Sequence, residues 1–152
     1  RLAEALDAPI SDVDGMVIGG HSDTGMIPLT RLATRNSVPV SEFVSNERLE
    51  EVKQETKVGG ATLTKLLGTS AWYAPGAAVS AMVQAIANDS NKMFPCSCLL
   101  EGEYGLDDIC IGAPALIGAN GIEKIVEIEL SADEKEALTA SADAVRKTNG
   151  LI

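Results

Sequence analysis

Gly19-Gly20-His21-Ser22-Asp23 decides how this 152-residue chain is read, because it holds the only histidine in the sequence. Met16-Val17-Ile18 runs into it. Those apolar and β-branched residues suit a pleated, covered surface and predict a buried strand, Gly15 to Ile18. The glycines then end the strand and let the backbone turn sharply, so the next side chain can be aimed at a cleft. Histidine is the side chain whose ordinary pKa allows proton exchange near neutrality. For an isolated histidine, the commoner role is a hydrogen-bonded structural one. The rest of the chain has to decide between the two.

With 45% apolar residues in 15.8 kDa, the chain can bury one sizeable core, which predicts a single domain. A net charge of -10 repels phosphate backbones, so nucleic acid is not an expected partner. An anionic substrate would need locally placed arginines, drawn from Arg1, Arg31, Arg35, Arg48 and Arg146. No apolar run approaches the ~20 residues of a membrane helix, so no membrane association is expected. Residues 1–6 lack the basic start and long apolar centre of a signal peptide. A helix already under way at Arg1, without an N-cap, points to a piece of a longer protein. Cys96, Cys98 and Cys110 are odd in number and sit in apolar surroundings. Cys96-Ser97-Cys98 invites a metal or redox reading. Against it, alternating residues of a strand point to opposite faces and no second ligand pair exists, so no metal site is expected. Free buried cysteines fit a reducing, cytoplasmic compartment.

In chain order, the opening helix ends near Pro9, and Thr24 to Leu29 is a short extended or turn segment. Leu32 and Val38-Pro39-Val40 read as short strands or loop. Asn46 is the expected N-cap of a charged helix, Glu47 to Lys57, with Leu49 and Val52 inward. Gly59-Gly60 interrupts it, a second piece runs from Ala61 to Leu67 with Leu63, Leu66 and Leu67 inward, and Gly68 closes it. Pro75 opens a helix to Ala87, with Val79, Met82, Val83 and Ile86 on one face and small residues opposite. Trp72 and Tyr73 at its entrance fit either core packing or a site wall. Met93 to Glu101 and Asp108 to Gly112 form a hairpin around Gly102–Gly105, followed by a third strand, Ile122 to Ile128. Glu101 and Glu103, at that turn, read as solvated or backbone-bonding and not as an acid/base pair. Ser131-Ala132-Asp133-Glu134 is a capping box opening a last helix, with Leu138 and Val145 on one face and a stop at Asn149-Gly150.

Taken in this order, the pieces resemble the C-terminal, substrate-binding domain of malate dehydrogenases of the lactate-dehydrogenase-like type. The resemblance spans essentially all residues 1–152. Its anchors are Gly19 to Asp23 with Met26 to Pro28, Tyr73 to Ala78, Pro95-Cys96-Ser97, Leu100 to Gly105, Gly118 to Lys124 and the helix after Leu130-Ser131. It implies an α+β fold of long helices packed on small, mostly antiparallel sheets. It also implies an NAD-dependent oxidoreductase of the tricarboxylic acid cycle that interconverts (S)-malate and oxaloacetate as a homodimer or homotetramer. By the same resemblance His21 is the proton acceptor and donor, Gly20 and Ala71 border the substrate, and Pro75 lies near the nicotinamide. As hydride leaves carbon a proton leaves oxygen, so an acid–base group must touch that oxygen.

The family's dinucleotide-binding (Rossmann) domain is not matched, since no G-x-G-x-x-G occurs. In the family the aspartate that orients the histidine and the arginine that clamps the substrate both lie in the helix leading to the histidine, a little upstream of Arg1. Arg1 stands too close to His21 in sequence to be the clamp. The chain alone is therefore expected to be inactive. Gly25 departs from the commoner form of the motif without a reason in the sequence. Two other readings remain open: an L-lactate dehydrogenase domain, and a non-catalytic oligomerisation module.

Overall fold

The computed structural model describes residues 1–151. A short helix α1 (Leu2–Ala5) leads to a small sheet of β1 (Val13–Asp14), β4 (Thr34–Arg35) and β5 (Val38–Pro39), ordered β1-β4-β5. The tight β4–β5 connection puts Asn36 and Ser37 at φ 47° and 70°, the backbone hand that matches strand twist in a hairpin. The larger sheet holds β2 (Val17–Gly19), β3 (Met26–Pro28), β6 (Lys92–Glu101), β7 (Asp107–Gly118) and β8 (Gly121–Ile125). Its order is β3-β2-β7-β6, with β8 also on β7. Every pairing is antiparallel, so the expected α+β class holds. One edge of β7 carries β6 along its length, from Ile117 opposite Lys92 to Asp107 opposite Glu101. Its other edge is shared: Gly112 meets β2 and Ala115–Gly118 meets β8.

The β6–β7 turn behaves as its sequence predicts. The Glu103 carboxylate accepts from the Glu101 backbone N–H at 2.8 Å, and that bond holds its pKa below the usual carboxylate range. The third strand ends at Ile125, short of the expected Ile128. There the Tyr104 hydroxyl donates to the Val126 carbonyl (3.1 Å) and accepts from the Ile128 N–H (3.0 Å), so a side chain takes the backbone groups a strand would use.

There are four longer helices among the described residues, α2 (Asn46–Lys57), α3 (Gly59–Leu67), α4 (Tyr73–Ala87) and α5 (Ala132–Asn149); α2, α4 and α5 pack on the larger sheet and α3 leans on α2. The N-cap of α2 is Ser45, not Asn46. Ser45 is extended and its Oγ accepts from the Arg48 N–H at 3.3 Å, whereas Asn46 is already helical. Gly59 and Gly60 do not interrupt the chain of helices; they form the first turn of α3, and Gly68 ends it at φ 70°. The faces of α3 and α4 differ from expectation. Leu63, Leu66 and Leu67 are exposed, Leu66 by 79%, and so are Val79, Val83 and Ile86. On α4 the buried residue is Ala85, in the main core. Only Ala81, Met82 and Ala85 are turned away from solvent; Ala74, Ala77, Ala78 and Ser80 are exposed, so the helix meets the sheet through its C-terminal half alone. Trp72 and Tyr73 are exposed as well, Tyr73 by 91%, and neither is a core residue.

The main core gathers Ile18, Leu29, Leu100, Ile109, Ile111 and Ile117 of the larger sheet and its flanks with Leu138 and Ala142 of α5. A second, smaller core joins Leu6, Ala33, Val40 and Leu49. The capping box forms as predicted: Ser131 Oγ accepts from the Glu134 N–H (3.2 Å) and Glu134 accepts from the Ser131 N–H (2.9 Å). Two sequence expectations for the cysteines fail. Cys96 and Cys98, two apart on β6, share a face with their sulfurs 3.8 Å apart, as the two-residue period of a strand requires. Cys110, opposite Leu99, is exposed. Among the described residues no group of three or more His, Cys, Asp or Glu stands close enough to hold a metal ion, and no helix is long and apolar enough to cross a membrane.

Candidate active site

The site begins with two glycines on neighbouring strands. Gly19 ends β2 and pairs with Gly112 of β7. A Cβ on Gly112 would stand 2.6 Å from the Gly19 carbonyl oxygen, so only glycine lets the strands approach this closely. Gly19 itself sits at φ 90°, and a Cβ there would collide with the Gly25 carbonyl. The chain leaves the sheet at this point and folds into a compact loop. The Ser22 N–H donates to the Gly20 carbonyl (3.0 Å), and the Gly25 and Met26 N–H groups donate to the Ser22 carbonyl (3.0 and 3.1 Å). Ser22 Oγ also accepts from the Gly25 N–H at 2.9 Å. These contacts explain Gly25: a Cβ on it would lie 2.7 Å from Ser22 Oγ and 3.0 Å from the Gly20 carbonyl.

The loop is stapled to α5. Ser141, 3% exposed, accepts from the Gly20 N–H (2.8 Å) and donates to the Gly25 carbonyl (2.9 Å). Val145 closes over the same glycine, its Cγ2 3.1 Å from where a Gly20 Cβ would be. His21 stands exposed on this loop, at a cavity of about 530 Å³ lined also by Gly20, Met26, Ser97, Cys110 and Gly112.

Of the residues singled out in the sequence, His21 and Gly20 share this cavity, and Ala71 and Pro75 do not line it. Ala71 is half-buried just ahead of α4, and Pro75 is exposed in its first turn. Among the described residues no carboxylate, lysine or arginine lines the cavity; the arginines are engaged elsewhere. Arg31 makes a two-pronged pair with Glu134 (2.9 and 3.1 Å from Nε) and also donates to the Glu129 carbonyl. Arg48 pairs with Glu51 and Glu55 at 2.8 and 3.0 Å. Arg1 pairs with Glu4 at 3.1 Å, Arg146 donates to the Asp107 carbonyl at 3.0 Å, and Arg35 lies over the Phe43 ring. None is placed to clamp an anion beside His21.

Sequence reasoning missed Gly112 and Ser141. Gly112 shows only as a glycine inside a strand, the usual mark of a close backbone approach. Ser141 shows as a hydroxyl between Leu138, Ala142 and Val145 on the inward stripe of α5, where a polar residue needs a buried partner.

Known proteins resemble this chain in both sequence and backbone. A family model described as the lactate/malate dehydrogenase, alpha/beta C-terminal domain, matches residues 1–149. Malate dehydrogenase of Bacteroides thetaiotaomicron is 61% identical over 151 residues, covering 99% of this chain and 48% of that protein. Among solved structures, malate dehydrogenase from Salinibacter ruber superposes with a TM-score of 0.92 at 45% identity, over 96% of this chain and 48% of that one. Lactate dehydrogenase from Eimeria maxima, with NADH and oxamate, gives a TM-score of 0.93 at 36% identity, over 99% of this chain and 47% of that one. The chain thus spans about half the length of the relatives it matches. Sequence family and backbone agree over nearly every residue, and the chain belongs to the lactate/malate dehydrogenase C-terminal domain family.

Proposed function

We propose that this chain is the substrate-binding half of an NAD-dependent malate dehydrogenase, a dinucleotide-binding half completing the enzyme. One observation carries the reading. His21 is presented at a cavity lined, among the described residues, by no carboxylate and no other basic side chain, on a loop held by close glycine contacts and by hydrogen bonds at Gly20, Ser22 and Gly25. In malate oxidation the substrate hydroxyl gives its proton to the His21 imidazole, and in oxaloacetate reduction the same nitrogen returns it. Gly20 brings backbone to the substrate; Ala71, outside the His21 cavity, is assigned to the substrate's border by the family resemblance alone. NAD, when bound, supplies the hydride acceptor. The fit of this chain to that cofactor is confined to the exposed Pro75 ring in the first turn of α4, suited to an apolar ring edge. A glycine-rich phosphate turn, an aspartate behind the imidazole and an arginine for the carboxylate would come from upstream of Arg1, which makes the chain alone inactive.

The high identity to malate dehydrogenases favours malate over lactate, although the backbone overlays lactate dehydrogenase equally well. The apolar face of α3 and α4, with Leu66, Val79 and Val83 exposed, supports a homodimer or homotetramer, since a patch of this kind calls for a covering surface. The free cysteines support a reducing, cytoplasmic setting.

The test is His21→Asn in the complete enzyme. Loss of general acid–base catalysis lowers kcat for (S)-malate oxidation by about 10²–10⁴-fold, with the oligomer intact by sedimentation. Retained turnover sinks the assignment, and turnover of L-lactate in preference to malate by the unaltered enzyme replaces the substrate.

A further inference from the structure

We infer that Ser141 is a positioning residue for the acid–base group: its hydroxyl closes the His21 loop on a rigid helix and so fixes where the imidazole stands. This rests on the reading of His21 as that group. The geometry is specific. A hydroxyl offers one donated proton and two acceptor lone pairs, and Ser141 Oγ uses both functions on the two ends of one loop, the Gly20 N–H and the Gly25 carbonyl. Neither backbone group is used by the β2–β3 ladder, whose last pair is Gly19 with Met26. Both are buried with their partner, so the loop has no water-bonded alternative of equal quality.

The surroundings remove the remaining freedom. Val145 Cγ2 and Ser141 Oγ lie 3.1 and 3.2 Å from the space above Gly20, and Ser141 Oγ lies 3.2 Å from the space above Gly25. The two bonds, at 2.8 and 2.9 Å, are already at normal length, so the loop moves relative to α5 only by compressing or breaking them. No side-chain hydrogen bond orients the His21 imidazole among the described residues. Its position is therefore inherited from Gly20, and Gly20's from Ser141. Reacting groups need placement to a fraction of an ångström, and the shell behind them supplies it.

The experiment compares Ser141→Ala with Leu138→Val in the complete enzyme, with His21→Asn as reference. Leu138 lies one turn away on the same inward stripe and is buried in the main core, not against the loop. All kinetics are measured at a temperature where circular dichroism shows each variant fully folded. S141A is expected to lower kcat about 10- to 100-fold, the scale of an ångström-sized misplacement. KM should stay within about twofold, because ground-state binding is not what is lost. The pH profile of kcat should shift with it, while L138V keeps both kcat and profile. If S141A does not fold, Ser141→Cys, of similar shape but weak as a hydrogen-bonding group, reads the same split. An unchanged kcat in S141A or S141C, or an equal loss in L138V, overturns the inference. If H21N itself retains turnover, the failure belongs to the acid–base reading and not to Ser141.

Discussion

Gly112→Ala tests the close approach on which the site is built. The new methyl carbon would stand 2.6 Å from the Gly19 carbonyl oxygen, where ordinary van der Waals contact begins at 3.4 Å. The obstacle is backbone in a paired strand, so no side chain can swing aside, and β2 must retreat from β7 by most of an ångström. Overpacking of this kind costs about 1–3 kcal/mol. For a domain of this size that lowers Tm by about 2–12 °C. Because Gly19 is the last sheet residue before the His21 loop, the retreat also carries the imidazole, and a displacement near 1 Å costs about 10²-fold in rate. The assay is thermal unfolding by circular dichroism, paired with malate–NAD kinetics of the complete enzyme. The control is Gly76→Ala in α4, where a Cβ meets nothing within 4 Å and the substitution should stabilise by about 0.5–1 kcal/mol through helix propensity. If G112A melts with the parent and keeps its kcat, the close strand contact is not what positions the loop.

Two other measurements follow from particular groups. At Glu134, burial pulls the carboxyl pKa upward, but the Arg31 bonds and the Ser131 N–H outweigh it and hold the group below the usual carboxylate range. A lowered folded pKa means that its stabilisation is complete above the ordinary carboxylate pKa and is lost as pH falls through the folded one. Glu134→Gln should therefore lose less stability than the parent between pH 5 and pH 3 in urea titrations, by under about 1 kcal/mol since Arg31 is half-exposed; parallel acid limbs would refute this. Burial and the neighbouring Cys96 push the Cys98 thiol up to about 12, so iodoacetamide at pH 8 should label exposed Cys110 first and Cys98 only after unfolding, read by peptide mass. Early labelling of Cys98 would contradict its placement in the core.

Much of the fold was legible because its signals are local. The capping box at Ser131 and Glu134, the long β6–β7 hairpin and the glycine turn before His21 each rest on neighbours in sequence. What was not legible depends on distance through space. Periodicity gave α4 an apolar stripe, yet could not tell how little of the helix the sheet would cover: Ala85 is buried, Ala81 and Met82 are half-buried, and Val79, Val83 and Ile86 are left outward. Gly25 looked like an unexplained insertion until Ser22, Gly20 and Ser141 were seen to crowd it. Cys96 and Cys98 were misread by a face argument that holds for successive residues and not for those two apart. His21 could be chosen from the sequence; the serine that holds it could not, because its partners lie on the far side of the chain.

That last separation has a consequence in time. Gly20 and Ser141 are 121 residues apart, and Ser141 and Gly25 are 116 apart, so the contact that finishes the histidine loop is among the least local in the domain. Non-local contacts of this kind form late in folding. In a chain growing at ~5–20 residues per second, the serine is added roughly 6–24 s after the glycine it holds. Through that interval the histidine exists without its geometry, and a chain that stops short of α5 would carry the residue but never the site.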